Sequence, residues 1–288
     1  MIINNHNTED SVFVIAEIGN NHEGNFKLAL DMISAAADSG ANAVKFQTIV
    51  PDLLVNKKNL ERYNKLKAFK FTYNQFEKLS IKADKKNILF CSTPFDIKSA
   101  IFLNKIQSFF KISSGDNEFY PLINQVCKFN KPLILSTGLV YLKRIQKIVS
   151  HIKKEKEKNK LKLDLALLHC VSSYPTPLNE ANLKSINFLK ENFKNLTIGY
   201  SDHTLGVDAA VFSIACGAQI VEKHFTLNKN YSTFRDHKLS ASPFELTKMI
   251  KKIRLIEKML GNNEKIIQSS EELSIKAYKR SIAVNKNL

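Results

Sequence analysis

YSDHTLGVDAAVFSIACGAQIVEKHF, residues Tyr200 to Phe225, decides how this chain folds. An apolar run, LTIGY, ends where the stretch begins, and a second, QIVEKHF, closes it. Between them Val207, Ala210, Val211, Ile214 and Ala215 recur at helical spacing. Two strands joined through a helix run parallel, which places their C-terminal tips on one edge of a sheet. Ser201, Asp202 and His203 are therefore expected beside Lys223 and His224, with two imidazoles and a lysine sharing one mouth. Either histidine alone reads as a satisfied core or cap residue. Paired at neighbouring strand tips among carboxylates and lysines, His203 and His224 point to a two-histidine divalent cation site.

Outward from this unit the pattern repeats. Apolar runs that predict strands fall at 12–18, 43–47, 88–91, 109–112, 132–135, 163–170, 196–200 and 219–224. Near-continuous apolar runs are expected where both faces of a parallel sheet are covered. Helical periodicity lies between the strands, with Gly40 suited to a left-handed helix end, Thr72 and Gln75 forming a capping box, Pro121 in a first turn, and Ser242, Pro243 and Glu245 opening the last helix, which stops at Gly261. Eight strands alternating with eight helices over about 260 residues is the count and size of a TIM (β/α)8 barrel, an α/β fold. No Gly-x-Gly-x-x-Gly follows the first strand, which disfavours a dinucleotide-binding sheet. Residues 1–262 are expected to form one catalytic domain and 263–288 a short linker-like tail. The lysine-rich connection 48–71 is too polar for core and reads as a lid or partner contact.

Composition narrows the functional classes. Lys plus Arg number 43 against 27 Asp plus Glu, a formal charge of +16. Much of the excess lies in solvated helix ends such as KKEKEKNKLK, and no nucleic-acid-binding motif accompanies it, so an anionic small substrate fits better than nucleic acid. Cys91, Cys127, Cys170 and Cys216 show neither metal-ligand nor disulfide-framework spacing. No signal peptide and no apolar run of about 18 residues occurs, so a cytoplasmic protein without a membrane span is expected.

Glu17, Lys45, Gln47, Thr93, Lys111, Ser114, Ser136, His169, Ser201, His203, Lys223 and His224 all fall at or just after predicted strand ends, the catalytic face of such a barrel. Burying Lys45 and Lys111 costs several kcal/mol unless anions accompany them. With the hydroxyls of Thr93, Ser114, Ser136 and Ser201 they suit a phosphate with an adjacent carboxylate, although each serine alone also reads as a turn cap. A cation on His203 and His224 would polarise an aldehyde oxygen and orient water, and Glu17 is placed to position or deprotonate that water. Glu17 also reads as an ion-pair partner for Lys45.

IAEIGNNHEG, AVKFQT, STPF, KISSGD, LSTG, HCVSSYPTP, GYSDHT and EKHFT, in this order from about residue 12, closely resemble the sialic acid synthases, the phosphoenolpyruvate-dependent nonulosonate synthases. The resemblance implies condensation of phosphoenolpyruvate with an N-acetylated hexose aldehyde, with Mn²⁺, or alternatively Mg²⁺ or Co²⁺, as cofactor. It implies His203 and His224 as metal ligands and Glu17 beside the reacting carbons. Lys45, Gln47, Thr93, Lys111, Ser114, Ser136 and Ser201 would surround phosphoenolpyruvate, and Tyr174 and Asp236 would contact the sugar. Asp116 stands where relatives commonly carry Glu, a departure that bears on sugar contacts. The family usually adds an antifreeze-like domain after a segment resembling KRSIAVNKNL, supplied across a homodimer, and the expectation is that this chain lacks it. A Schiff-base aldolase using Lys111 or Lys223, and a catalytically silent sugar-binding barrel, are the alternative readings.

Overall fold

A computed structural model describes residues 1–262 and 264–280. Eight parallel strands form its sheet: β1 (Phe13–Gly19), β2 (Ala43–Thr48), β3 (Leu89–Pro94), β4 (Phe110–Ile112), β5 (Leu133–Ser136), β6 (Leu165–Cys170), β7 (Thr197–Asp202) and β8 (Ile220–His224). Each predicted run became a strand, its ends shifted by no more than three residues. The ladder runs β3-β2-β1-β8-β7-β6-β5-β4. The ring closes between β3 and β4 without a backbone ladder among the described residues. There the Gln107 side chain accepts from Ser92 N at 2.8 Å, and the Cys91 thiol points at Phe109 O at 3.8 Å.

Helices α1 (Phe26–Asp38), α2 (Tyr73–Lys85), α3 (Ile97–Leu103), α4 (Tyr120–Lys128), α5 (Leu142–Asn159), α6 (Lys184–Asn192), α7 (Asp208–Ala215) and α8 (Pro243–Leu260) pack around the barrel. The capping signals act as read. Thr72 and Gln75 bond reciprocally at the start of α2, as do Ser242 and Glu245 at the start of α8. Val14, Ala16 and Ile18 of β1, with their counterparts on the other strands, meet the helices in one large apolar layer. The alternate residues Phe13, Ile15, Ala43, Cys91, Phe109, Ile134, Ala166, Leu168 and Ile220 fill the inside of the barrel. Ile3, from a two-stranded hairpin formed by Ile2–Ile3 and His6–Asn7, joins this inner cluster. Inside β7 the packing leaves room only for glycine: a Cβ on Gly199 would lie 2.4 Å from Ile220 O and 2.6 Å from Leu168 Cδ2.

The 48–71 connection holds two short helices, Pro51–Leu54 and Leu60–Phe69, the second burying none of its residues. It lies so close to the loop after β1 that a Cβ on Gly24, at φ +81°, would sit 2.3 Å from Ala68 O. The expected tail carries a short helix, Glu272–Tyr278. Of the family-like stretch KRSIAVNKNL at 279–288, residues 281–288 lie outside the described residues. Among the described residues no helix is long and apolar enough to cross a membrane, and all four cysteines are free.

Candidate active site

Strand alternation puts Glu17, Lys45, Lys111 and Glu222 on the inward faces of β1, β2, β4 and β8, above the apolar filling. They form one network. Lys45 Nζ lies 2.7 Å from Glu17 Oε2 and 3.7 Å from Glu222 Oε2, and Lys111 Nζ lies 3.5 Å from Glu222 Oε1. Neutral donors and acceptors from four other places complete it. Lys45 donates to Thr93 Oγ1 at 3.1 Å, Lys111 to Ser136 Oγ at 2.7 Å, Ser201 to Glu222 at 2.9 Å and Gln47 to Glu17 at 3.2 Å. All four charged groups are buried.

The two carboxyls are driven apart by their surroundings. Burial pushes Glu17 up to about 7, outweighing Lys45, with the nearby Glu222 adding to the rise. Burial also acts to raise Glu222, but Lys111, Lys45 and the Ser201 hydroxyl overcome it and hold that carboxyl down at about 2. Glu222 is thus held ionised between two lysines, while Glu17, ion-paired to Lys45, binds a proton more readily than Glu222, a division that suits acid and base roles.

Above this layer His203 and His224 face each other with ring centroids 5.4 Å apart. The His203 Nδ1–H donates to the Val171 carbonyl at 2.8 Å, because a carbonyl only accepts, and this leaves Nε2 with a free lone pair. Burial and the surrounding cations keep His224 neutral, well below the usual imidazole range. Its Nδ1 is enclosed with no hydrogen-bond partner. Burial acts to lower the His203 imidazole, but the Cys170 thiol, the Val171 carbonyl and Glu222 raise it. The unbonded His203 Nε2 and the unpartnered His224 Nδ1 fit a divalent cation, which would take the place of any proton on His203. Among the described residues no group of three or more His, Cys, Asp or Glu side chains converges as a ready-made cage, so remaining ligand positions would fall to substrate or water. Tyr174 covers the pair, its ring 4.2 Å from that of His203 and edge-on to His224 at 6.0 Å. Arg235 stacks over Tyr174 at 4.6 Å, and its Nε bonds the mostly buried Asp236 at 3.2 Å.

The expected site residues therefore assemble in two tiers, with two at the margin. Ser114 accepts from Gly138 N at 3.2 Å and donates to Cys170 Sγ at 3.5 Å. Asp116 sits on the turn Ser114–Asp116, where it accepts from Ser113 Oγ at 3.2 Å and has no bond to the lysine network; burial raises its carboxyl. Two sequence expectations fail. Lys223 is not in the mouth: it lies on the outward face of β8, fully enclosed, bonded to Asp202 Oδ2 at 2.8 Å and Thr204 O at 2.7 Å. His169 likewise turns outward to Ala181 O at 2.9 Å and stacks on Tyr200. Glu222, the carboxylate shared by both lysines, is not among the residues expected from the sequence, although period-two counting back from His224 points it inward.

Fold and interior together define the class, a (β/α)8-barrel enzyme with its charged layer at the C-terminal ends of the strands. Residues 32–265 match the NeuB family, and the chain belongs to that family. It is 44% identical to an uncharacterized protein of Methanocaldococcus jannaschii over 97% of this chain and 81% of that one. To N,N'-diacetyllegionaminic acid synthase of Campylobacter jejuni it is 38% identical, over 96% of this chain and 85% of the relative. Among solved structures, the N-acetylneuraminic acid (sialic acid) synthetase of Leptospira borgpetersenii, in complex with citrate, superposes with a TM-score of 0.86 at 38% identity, covering 93% of this chain and 91% of that one.

Proposed function

We propose that the protein condenses phosphoenolpyruvate with an N-acetylated hexose aldehyde to give a nine-carbon sialic-acid-like sugar and inorganic phosphate. The observation that carries this reading is the pair of buried lysines, Lys45 and Lys111, which share one ionised carboxylate beneath the histidine pair, with His224 Nδ1 unpartnered and His203 Nδ1 committed to Val171 O. Family membership, and relatives named for legionaminic and N-acetylneuraminic acid synthesis, support the same substrate class.

In this reaction C3 of phosphoenolpyruvate attacks the aldehyde carbon, water adds to the resulting cationic C2, and phosphate leaves by C–O cleavage. Lys45 and Lys111, with the hydroxyls of Thr93, Ser136 and Ser201, would bind the phosphate and carboxylate of phosphoenolpyruvate. Glu17, whose proton affinity burial raises above the usual carboxylate range, would take the proton of the attacking water. Tyr174 and Asp236 would orient the acceptor. A divalent cation held by His203 and His224 would supply Lewis-acid polarisation of a carbonyl oxygen.

A Schiff-base role for Lys223 is disfavoured because its nitrogen is enclosed and committed to Asp202. Phosphate release from phosphoenolpyruvate, measured with N-acetylmannosamine and with diacetamido hexoses before and after Mn²⁺ is added to chelator-treated protein, tests the proposal. Cation-dependent release with a nine-carbon product is expected. Turnover without any divalent ion would remove the histidine assignment, and no release with any acceptor would remove the condensation.

A further inference from the structure

The loop after β8, residues 227–241, carries Arg235 and Asp236 to the rim, and it is anchored at a point the chemistry does not explain. His237, on the helical turn Asp236–Leu239, is fully buried and points away from Asp236's work. Its Nδ1 meets Thr226 Oγ1 at 2.8 Å, and its Nε2 meets Glu23 Oε1 at 2.9 Å. The same Glu23 oxygen accepts from Ser232 Oγ. Two hydrogen bonds from positions five residues apart within one loop therefore end on a single carboxylate oxygen of another loop. Glu23 itself stands in the left-handed region, at φ +46°, in the turn that follows β1. Asn21, from the same turn, donates to Ser240 Oγ at 2.9 Å, and that hydroxyl donates back to Asp236 O at 2.5 Å. Phe234 packs edge-on against Phe69, with Lys65 over its ring at 4.6 Å, so the helix Leu60–Phe69 braces the loop from outside.

We infer that Glu23 is the positioning residue for the acceptor sugar: it fixes the 227–241 loop through His237 and Ser232, and so sets where Asp236 and Arg235 stand over Tyr174. The inference rests on the condensation proposed above. It is specific because Glu23 touches neither the lysine network nor the histidine pair. Loss of the latch should weaken acceptor binding and leave phosphoenolpyruvate binding alone.

Glu23→Ala removes both acceptor contacts, whereas Glu23→Gln keeps an amide oxygen in their place. At 25 °C, Glu23→Ala is expected to raise the acceptor KM about tenfold, the effect of one or two net hydrogen bonds. The phosphoenolpyruvate KM should stay unchanged, and Glu23→Gln should lie near wild type. Amide hydrogen exchange of the unliganded proteins gives a readout independent of turnover: residues 230–240 should exchange faster in Glu23→Ala while α8 does not. Unchanged exchange in that loop would overturn the latch. A phosphoenolpyruvate KM rising in step, or Glu23→Gln as impaired as Glu23→Ala, would overturn it too. Absence of turnover in the wild-type protein would instead sink the condensation, with the exchange comparison still deciding the latch.

Discussion

Replacing Glu222 by glutamine tests the central electrostatic reading. Glu222 is the sole carboxylate among the described residues within ion-pair reach of Lys111, at 3.5 Å, and it also lies 3.7 Å from Lys45, which keeps Glu17 at 2.7 Å. Glu222→Gln preserves shape and the Ser201 contact but strands Lys111 as a buried cation. Removing one partner of a buried pair costs about 3–5 kcal/mol. For a chain of this size that lowers the melting temperature by on the order of 10 °C. Differential scanning fluorimetry of the protein without substrate reads the loss. Adding Lys111→Met to Glu222→Gln removes the stranded charge and should recover most of it, since the interior then keeps only the Lys45–Glu17 pair. With the Lys111→Met single variant, the two singles and the double complete a cycle whose coupling energy solvent screening cannot imitate at these depths. A Glu222→Gln protein melting within 1–2 °C of wild type (roughly, by the same scaling) would refute the claim that this carboxylate neutralises the interior, as would a double variant no more stable than the single one.

Other measurements reach the remaining claims. His22 is buried against Phe71, ring centroids 4.1 Å apart, and burial holds its imidazole down at about 3. The unfolded chain binds a proton there below about 6.5 while the folded chain does not, so stability is full above that pH and falls as pH drops toward 3. Between pH 6.5 and 5 urea unfolding should show wild type losing on the order of 2 kcal/mol more than His22→Phe, and equal losses would count against it. His203→Ala and His224→Ala should each abolish turnover and weaken Mn²⁺ binding by calorimetry with little change in circular dichroism; retained activity in either would refute the ligand role. Gly199→Ala, which drives a methyl group into the Ile220 carbonyl, should destabilise by about 1–3 kcal/mol in chemical unfolding.

The sequence disclosed the barrel because each strand is a short apolar run bounded by turn residues, a local property of the chain. The order of the strands and their parallel direction followed from connection rules. Most of the inner tier followed as well, since Lys45 and Gln47 alternate with Val44 and Phe46. The same alternation is masked in EKH at 222–224, where three consecutive polar residues look alike until the inward face is counted. Sharing of Glu222 between Lys45 and Lys111 was not legible at all, because it joins β2, β4 and β8 across the lumen. The exposed helix Leu60–Phe69 escaped notice for another reason: it buries nothing, so it has no periodic stripe to read.

The joint between β3 and β4 has a consequence for how the ring opens. Every other neighbouring pair is stitched by main-chain bonds that no single substitution can unpick, whereas here side-chain contacts, chiefly that of Gln107, take the place of that stitching. A cask with one unhooped seam splits along it. Yielding under denaturant or tension is therefore expected to begin between the third and fourth staves, opposite the wall that holds both histidines and Glu17, and amide exchange in β3 and β4 faster than in β1, β7 and β8 is the measurement that checks it.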